Sequence, residues 1–311
     1  MIEIADDDAR PYALHRSSLY TPEELFAGFE PGDRDGYTRT LDAAVYAHWV
    51  ATGRQYPPSV GESLARRLHD HSISEVLEDE LVHTHPVAIM GGHGLLRADP
   101  SYLRVAELSR HLSRSRYLML SGGGPGAMEA THLGAWFANF PDEELGRAVQ
   151  LLANRPPDAS PHGEFADHDW LHRAMKVRNR WPLPVDHVDS IGIPTWAYGH
   201  EPPAAFATKI AKYFQNSVRE DGLLAVATSG IVFTPGSAGT IQEIFQDAAQ
   251  NHYNSFGPAS PMILVGCEYW TERFPVWPLL ERVAEDRHYR ELIVLTDDMD
   301  VVVETLDSYQ R

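Results

Sequence analysis

Ile231-Val232-Phe233-Thr234-Pro235-Gly236-Ser237-Ala238-Gly239-Thr240-Ile241-Gln242-Glu243 decides how this chain is read. Ile231 to Phe233 is a short apolar run with β-branched members, as expected for a strand covered on both faces. Pro235 ends it, because proline cannot donate to a β-ladder. Gly236 and Gly239 are expected to take backbone angles closed to other residues. After Thr240, Ile241, Ile244, Phe245, Ala248 and Ala249 recur at helical spacing and predict an amphipathic helix.

A strand, a small-residue turn and a helix start together make an anion trap. The first amides of a helix lack internal partners, and the aligned peptide dipoles add positive potential there. Small residues let an anion approach the backbone, and phosphate is the expected guest. Glu243 falls in the first helical turn, off the apolar stripe, so its carboxylate is expected beside that anion. The bland alternative is an acid that only complements the helix dipole.

The flanking chain repeats the pattern. Val87-Ala88-Ile89-Met90 predicts a strand entering Gly91-Gly92-His93-Gly94, with a helix over 101–113. Tyr117-Leu118-Met119-Leu120 predicts a second strand, which enters Ser121-Gly122-Gly123-Gly124-Pro125-Gly126-Ala127-Met128-Glu129 and a helix reaching about Asn139. Ile193–Tyr198 reads as a further strand. A helix then carries Phe206, Ile210, Tyr213, Phe214 and Ser217 on one face, ends near Asp221-Gly222, and leaves Lys209, Lys212 and Arg219 off the stripe. Strands at Met262–Gly266 and Leu292–Leu295 and helices at Trp277–Ala284 and Met299–Leu306 complete the pattern. Such alternation defines an α/β fold, a Rossmann-like parallel sheet with helices on both faces and right-handed crossovers. Ligands of such sheets bind outside the carboxyl ends of the strands.

Residues 1–85 read as a separate helical extension before the sheet domain of residues 86–311. Thr21-Pro22-Glu23-Glu24 is a helix start, and further helices are expected over 40–52, 61–69 and 74–82. Residues 141–190 read as an irregular insertion, with a loop at Pro156–Pro161. In it His168 and His172 lie four apart, followed by Arg173, Lys176, Arg178 and Arg180. With no third ligand beside the histidines, no metal site is assigned. The basic stretch reads as solvated, or as a lid over a phosphorylated ligand.

Composition excludes several classes. The net charge of -18 disfavours nucleic acid and anionic membranes as partners. One cysteine, Cys267, allows no internal disulfide and fits a reduced, cytoplasmic setting. The acidic start Met1–Asp8 lacks the order of a signal peptide. No apolar run approaches the ~20 residues that span a bilayer. Gly122, Gly124 and Ala127 match a dinucleotide-binding spacing, but the acid expected on a following strand is missing.

The two glycine loops together, Ser121–Ala130 and Pro235–Glu243, resemble the LOG ("Lonely guy") family, long mislabelled as lysine decarboxylases. The resemblance covers about residues 86–306. It implies a nucleoside 5′-monophosphate phosphoribohydrolase, an N-glycosidase that releases free base and ribose 5-phosphate and uses no cofactor. It implies Glu243 and Arg219 as the catalytic pair. Gly122, Gly123, Gly124 and Met128, with Gly236, Ser237, Ala238, Gly239 and Thr240, are then the substrate-binding residues. A homodimer or larger homo-oligomer is implied too. Ser237 and Gln242 depart from the family motif, which has glycine and glutamate there. Met128, His93 and Trp196 are candidates for the wall around the base. The alternative is a non-catalytic nucleotide or cofactor carrier of the same fold, such as the molybdenum-cofactor carriers that resemble this superfamily.

Overall fold

The chain begins with helices laid against what becomes one face of a sheet. The computed structural model describes residues 10–33, 35–155, 163–198 and 201–309. Helix α1 (Pro22–Leu25) starts as its sequence dictates: Thr21 caps the Glu24 amide at 3.2 Å, with proline in the first turn. Helix α2 (Leu41–Ala51) is capped by Thr40, and α3 (Val60–Leu81) by Ser59. The two separate helices expected over 61–69 and 74–82 are one. Ser72 and Ser74, the residues at the expected break, bond back to the carbonyls of His69 and Asp70 and leave the helix intact.

The sheet follows. Strand β1 (Pro86–Met90) leads through α4 (Pro100–Arg114) to β2 (Leu118–Ser121). Helices α5 (Ala127–Trp136), α6 (Asp142–Leu152) and α7 (Trp170–Arg180) precede β3 (Ser190–Gly192) and β4 (Lys209–Ile210). Helix α8 (Asn216–Val226), β5 (Gly230–Phe233), α9 (Ala238–Tyr253), β6 (Met262–Val265), α10 (Trp277–Ala284), β7 (Ile293–Thr296) and α11 (Met299–Tyr309) complete the chain. The seven described strands are parallel in the order β4-β3-β2-β1-β5-β6-β7. The chain steps outward from β1 to β4, returns, and steps outward again from β5. The strand order therefore reverses between β1 and β5, where a doubly wound sheet opens its crevice.

Side chains alternate between two cores. Ala88, Met90, Ile231, Phe233, Met262 and Leu264 face a layer formed by the N-terminal helices with α8, α9 and α10. Val87, Ile89, Met119, Val232 and Ile263 face α4 to α7 and α11. Tyr12, Leu25, Val45, Trp49, Ile73 and Leu77 belong to the first core, so the helical extension and the sheet share one apolar interior. Tyr20 also exchanges both backbone hydrogen bonds with Ile210, at 3.0 and 2.8 Å, alongside the outermost strand.

Several expectations are corrected. Residues 141–190 are not irregular as a whole, since α6 and α7 pack against each other there. Trp170, Leu171, Ala174 and Val177 bury one side of α7. Arg173 is buried too, held by Glu164 at 2.9 Å and Asp167 at 3.4 Å. It is thus a structural cation, neither solvated nor part of a lid. The loop assigned to 156–161 lies outside the described residues.

The strand expected at Ile193–Tyr198 lies earlier, at Ser190–Gly192, because Pro194 cannot extend a ladder and turns the chain out of the sheet. The helix expected from Phe206 to Asp221-Gly222 begins only at Asn216, as α8, and the residues before it are extended chain through β4. Phe206, Ala207, Ile210, Ala211, Tyr213 and Phe214 are all buried, too many sides for one helical stripe. Lys212 is buried as well, 2.6 Å from Asp42 of α2. Gly222 lies inside α8 instead of ending a helix. Among the described residues no helix is long and apolar enough to cross a membrane.

Candidate functional site

At the β1/β5 switch point three loops meet. Gly92 N–H donates to the Pro235 carbonyl at 3.2 Å, and Ala127 N–H donates to Gly92 at 3.3 Å. These bonds tie together the turns after β1, β2 and β5. The close approach needs glycine. A Cβ on Gly126, where φ is +70°, would stand 2.4 Å from the Gly92 carbonyl oxygen, and one on Gly91 would stand 2.0 Å from Thr234 Oγ1. Between the loops lies a cleft of about 400 Å³. It is lined by Gly92, Gly122, Gly124, Met128, Arg219 and Glu243, with Ser237, Ala238, Gly239 and Thr240 along one side.

Helix α9 begins at Ala238, two residues earlier than its apolar periodicity predicts. Its first closure is Ile241 N–H to the Ser237 carbonyl at 2.9 Å. The amides of Ala238, Gly239 and Thr240 are the first-turn donors without a helical acceptor, and they border the cleft. The glycines of this turn act differently from the expectation. Neither Gly236 nor Gly239 has a positive φ. Gly236 is required because a Cβ would stand 2.1 Å from Thr240 Oγ1. At Gly239 a Cβ would meet nothing within 4 Å, so that glycine keeps space open for a ligand. Gly236 and Gly123 lie behind the lining. Tyr269 hydroxyl donates to the Gly236 carbonyl at 2.6 Å, and Gly123 turns the β2 loop at φ +69° beneath Pro194.

Arg219 projects from α8 and is buried. Its Nε donates to the Ile193 carbonyl at 2.7 Å and its Nη2 to the Gly122 carbonyl at 3.2 Å. Gly122 has no room for a side chain, since a Cβ would stand 2.2 Å from that Nη2. The helix is aimed by the N-terminal layer. Asp70 of α3 accepts from the amides of Phe214 and Gln215, both at 2.9 Å, just before α8 begins.

Glu243 lies in the second turn of α9, later than the first turn expected for it, because the helix begins earlier. It remains at the cleft. Loss of hydration raises its carboxyl to about 7; the Arg219 guanidinium opposes that rise and Glu220 adds to it. Glu220 also lines the cleft and accepts from Asn216 Nδ2 at 3.1 Å.

Sequence reading missed Glu220, Thr195, Tyr198 and Glu201 at this site. The only signal for Glu220 was its place next to Arg219. Trp196 is not a wall of the cleft. It is fully buried in the core beside Phe214, with its indole N–H donating to Asp42 at 2.9 Å. His93 does line the cleft, its Nδ1 3.6 Å from a Glu201 carboxylate oxygen. Glu129 of the first glycine motif turns away. It is fully buried and grips Arg97 through both oxygens, at 2.8 and 2.5 Å. Beneath the same loop His132 joins Ser121 at 2.8 Å to Ser190 at 3.0 Å; burial lowers it to about 3 and keeps it neutral. Among the described residues no three His, Cys, Asp or Glu side chains are grouped to hold a metal.

Fold and cleft define a Rossmann-like α/β protein with an amide-lined pocket at its topological switch point. No protein-family profile and no curated protein sequence matches the chain. Solved structures with a similar fold include the molybdenum cofactor binding protein from the phototrophic bacterium Rippkaea orientalis. It is 13% identical with a TM-score of 0.45, over 74% of this chain and 99% of that one. Another is the Moco carrier protein from Chlamydomonas reinhardtii, 13% identical with a TM-score of 0.44, over 73% and 98% of the two chains.

Proposed function

We propose that the cleft binds a nucleoside 5′-monophosphate and hydrolyses its N-glycosidic bond, giving free base and ribose 5-phosphate. One observation carries this reading: Glu243, Arg219 and the free first-turn amides of α9 border a single cleft. The amides suit the phosphate monoester. Binding energy gained there positions a sugar whose reacting carbon is several bonds away. Breaking the C1′–N bond leaves positive charge on the ribose, which an ionised Glu243 stabilises while it orients water toward C1′. The water oxygen joins C1′ and the departing base nitrogen takes a proton. A carboxyl that titrates near 7 can hold that proton in transit. Arg219, permanently charged, serves as an anchor for phosphate or sugar and not as an acid. The resemblance of both loops to the LOG family supports the same assignment and adds a homodimer or larger assembly, which light scattering of the pure protein would test.

The test is incubation with AMP, CMP, GMP and UMP, followed by chromatography for free base. Release of base by the native protein and its loss in Glu243→Gln, with nucleotide binding retained, is the expected result. Absence of free base from every monophosphate overturns the reading.

A second reading is carriage of a phosphorylated cofactor without turnover. The observation that favours it is the Glu243 carboxyl itself, which is half protonated near neutral pH and weakened as an ion. Retention of ligand, no base release and no effect of Glu243→Gln would select it. Molybdenum cofactor, named for the two structural neighbours, is the ligand to try first.

A further inference from the structure

We propose that a second cavity, on the N-terminal side of α8, is a binding site for an organic phosphate that carries a flat ring. The cavity measures about 470 Å³ and lies between the end of α2, the turn at 52–59, α3 and the residues that lead into α8. Arg54, Arg66 and Arg67 line it, with Trp49, Tyr56 and Phe214 among its walls.

The three arginines are not equivalent. Arg66 is buried and spent. Its Nε donates to Glu62 at 2.8 Å, its other nitrogens reach Thr52 and the Arg54 carbonyl, and its guanidinium lies 5.7 Å from the centre of the Phe214 ring. Arg54 and Arg67 are exposed, and among the described residues neither side chain has an ion pair or hydrogen bond. Two unneutralised guanidinium groups at one cavity are notable in a chain of net charge -18. The geometry of a guanidinium suits a phosphate, which it meets through paired N–H donors.

The walls supply the rest of the ligand class. Tyr56 is 85% exposed and Trp49 is 6% exposed, so one ring is free while the other is fixed in the core. Exposed aromatic surface beside free arginines favours a planar group with a charged tail. A bare inorganic anion would leave the rings unused.

The cavity is also wired to the cleft. Asp70 in its wall holds the amides of Phe214 and Gln215, and the Gln215 carbonyl accepts the Arg219 amide at 3.2 Å. A ligand that stiffens this corner therefore bears on the helix carrying Arg219.

Calorimetry with ADP, adenosine and pyrophosphate tests the site on the full chain. Because the cleft is itself proposed to take nucleotides, Gly239→Phe is used to fill it; a Cβ at Gly239 meets nothing within 4 Å, and a native-like urea midpoint verifies that the variant is folded before it is titrated. Arg54→Asn with Arg67→Ala removes the two free cations. Asparagine suits the left-handed backbone at residue 54, where φ is 52°. Expected is ADP binding that survives Gly239→Phe and weakens roughly tenfold or more in the arginine double variant, with adenosine and pyrophosphate each binding more weakly than ADP. Hydrogen exchange at Phe214–Arg219 should slow when ADP binds the cleft-filled variant. Loss of ADP binding in Gly239→Phe with retention in the double variant would assign the ligand to the cleft and overturn the proposal. No ADP binding at millimolar concentration overturns it as well. Adenosine binding as tightly as ADP would remove the anion from the site, and pyrophosphate binding as tightly would remove the ring. Unchanged exchange in α8 would sever the link to Arg219.

Discussion

Replacing Glu243 by glutamine separates the electrostatics of the cleft from any chemistry done there. In the native fold the carboxyl titrates near 7, against an ordinary value of 4.5. Between those limits the folded state holds a proton that the unfolded state has released, so stability falls as pH rises through the window. At about 1.36 kcal/mol per pH unit the full span is about 3 kcal/mol, and partial exposure toward the cleft lowers it to roughly 2 kcal/mol. Glutamine resembles the protonated form and feels none of this. The variant is therefore expected to exceed the native protein in stability by about 2 kcal/mol at pH 8.5, with the gap closing as pH falls toward 4.5. Urea denaturation of both proteins at intervals from pH 5 to 8.5 measures the gap. A gap independent of pH, or one that widens toward acid, would refute the account of how burial acts on this carboxyl.

Other perturbations probe the loops. Gly236→Ala places a methyl group 2.1 Å from Thr240 Oγ1, so it should cost about 1–3 kcal/mol in denaturation and weaken nucleotide binding measured by calorimetry. Gly122→Ala meets Arg219 Nη2 at 2.2 Å and should displace the guanidinium; nucleotide affinity is expected to fall by about tenfold, with a smaller loss of stability. Glu129→Gln removes the carboxylate that grips the fully buried Arg97 and leaves only the Glu164 charge near it, so it should cost ~3 kcal/mol in urea denaturation. An unchanged midpoint in that variant would mean that the pair contributes nothing to the fold.

The parts legible in the sequence were those in which local chemistry agrees with the whole fold. Ile231–Phe233 and Met262–Val265 read as buried strands because they are short, apolar and bounded by turn residues. Thr21 and Pro22 announced a helix start through capping alone. Glu243 and Arg219 were placed at one site by motif, and both do line the cleft. The stretch from Phe206 to Gln215 misled because its apolar residues happen to fit a helical stripe that continues into α8. Burial from every side, which makes that spacing meaningless, depends on the N-terminal helices and cannot be seen locally. Residues 170–180 misled for the opposite reason. Arg173 looks solvated until Glu164, Asp167 and Asp169 come into contact with it through the fold.

The paired bonds between Tyr20 and Ile210 have a bearing on how the chain is made. Synthesis delivers the first residues long before the strand they cover, with 190 positions in between. Strands β1 and β2 emerge earlier and receive the apolar side of the early helices, but Tyr20 finds its backbone partner only when Ile210 emerges, and until the two pair the edge of the outermost strand stays open to neighbouring molecules. A nascent chain stalled between these two points would be a natural client for chaperones, and a ribosome-bound series truncated on either side of residue 210 should reveal where protease resistance sets in.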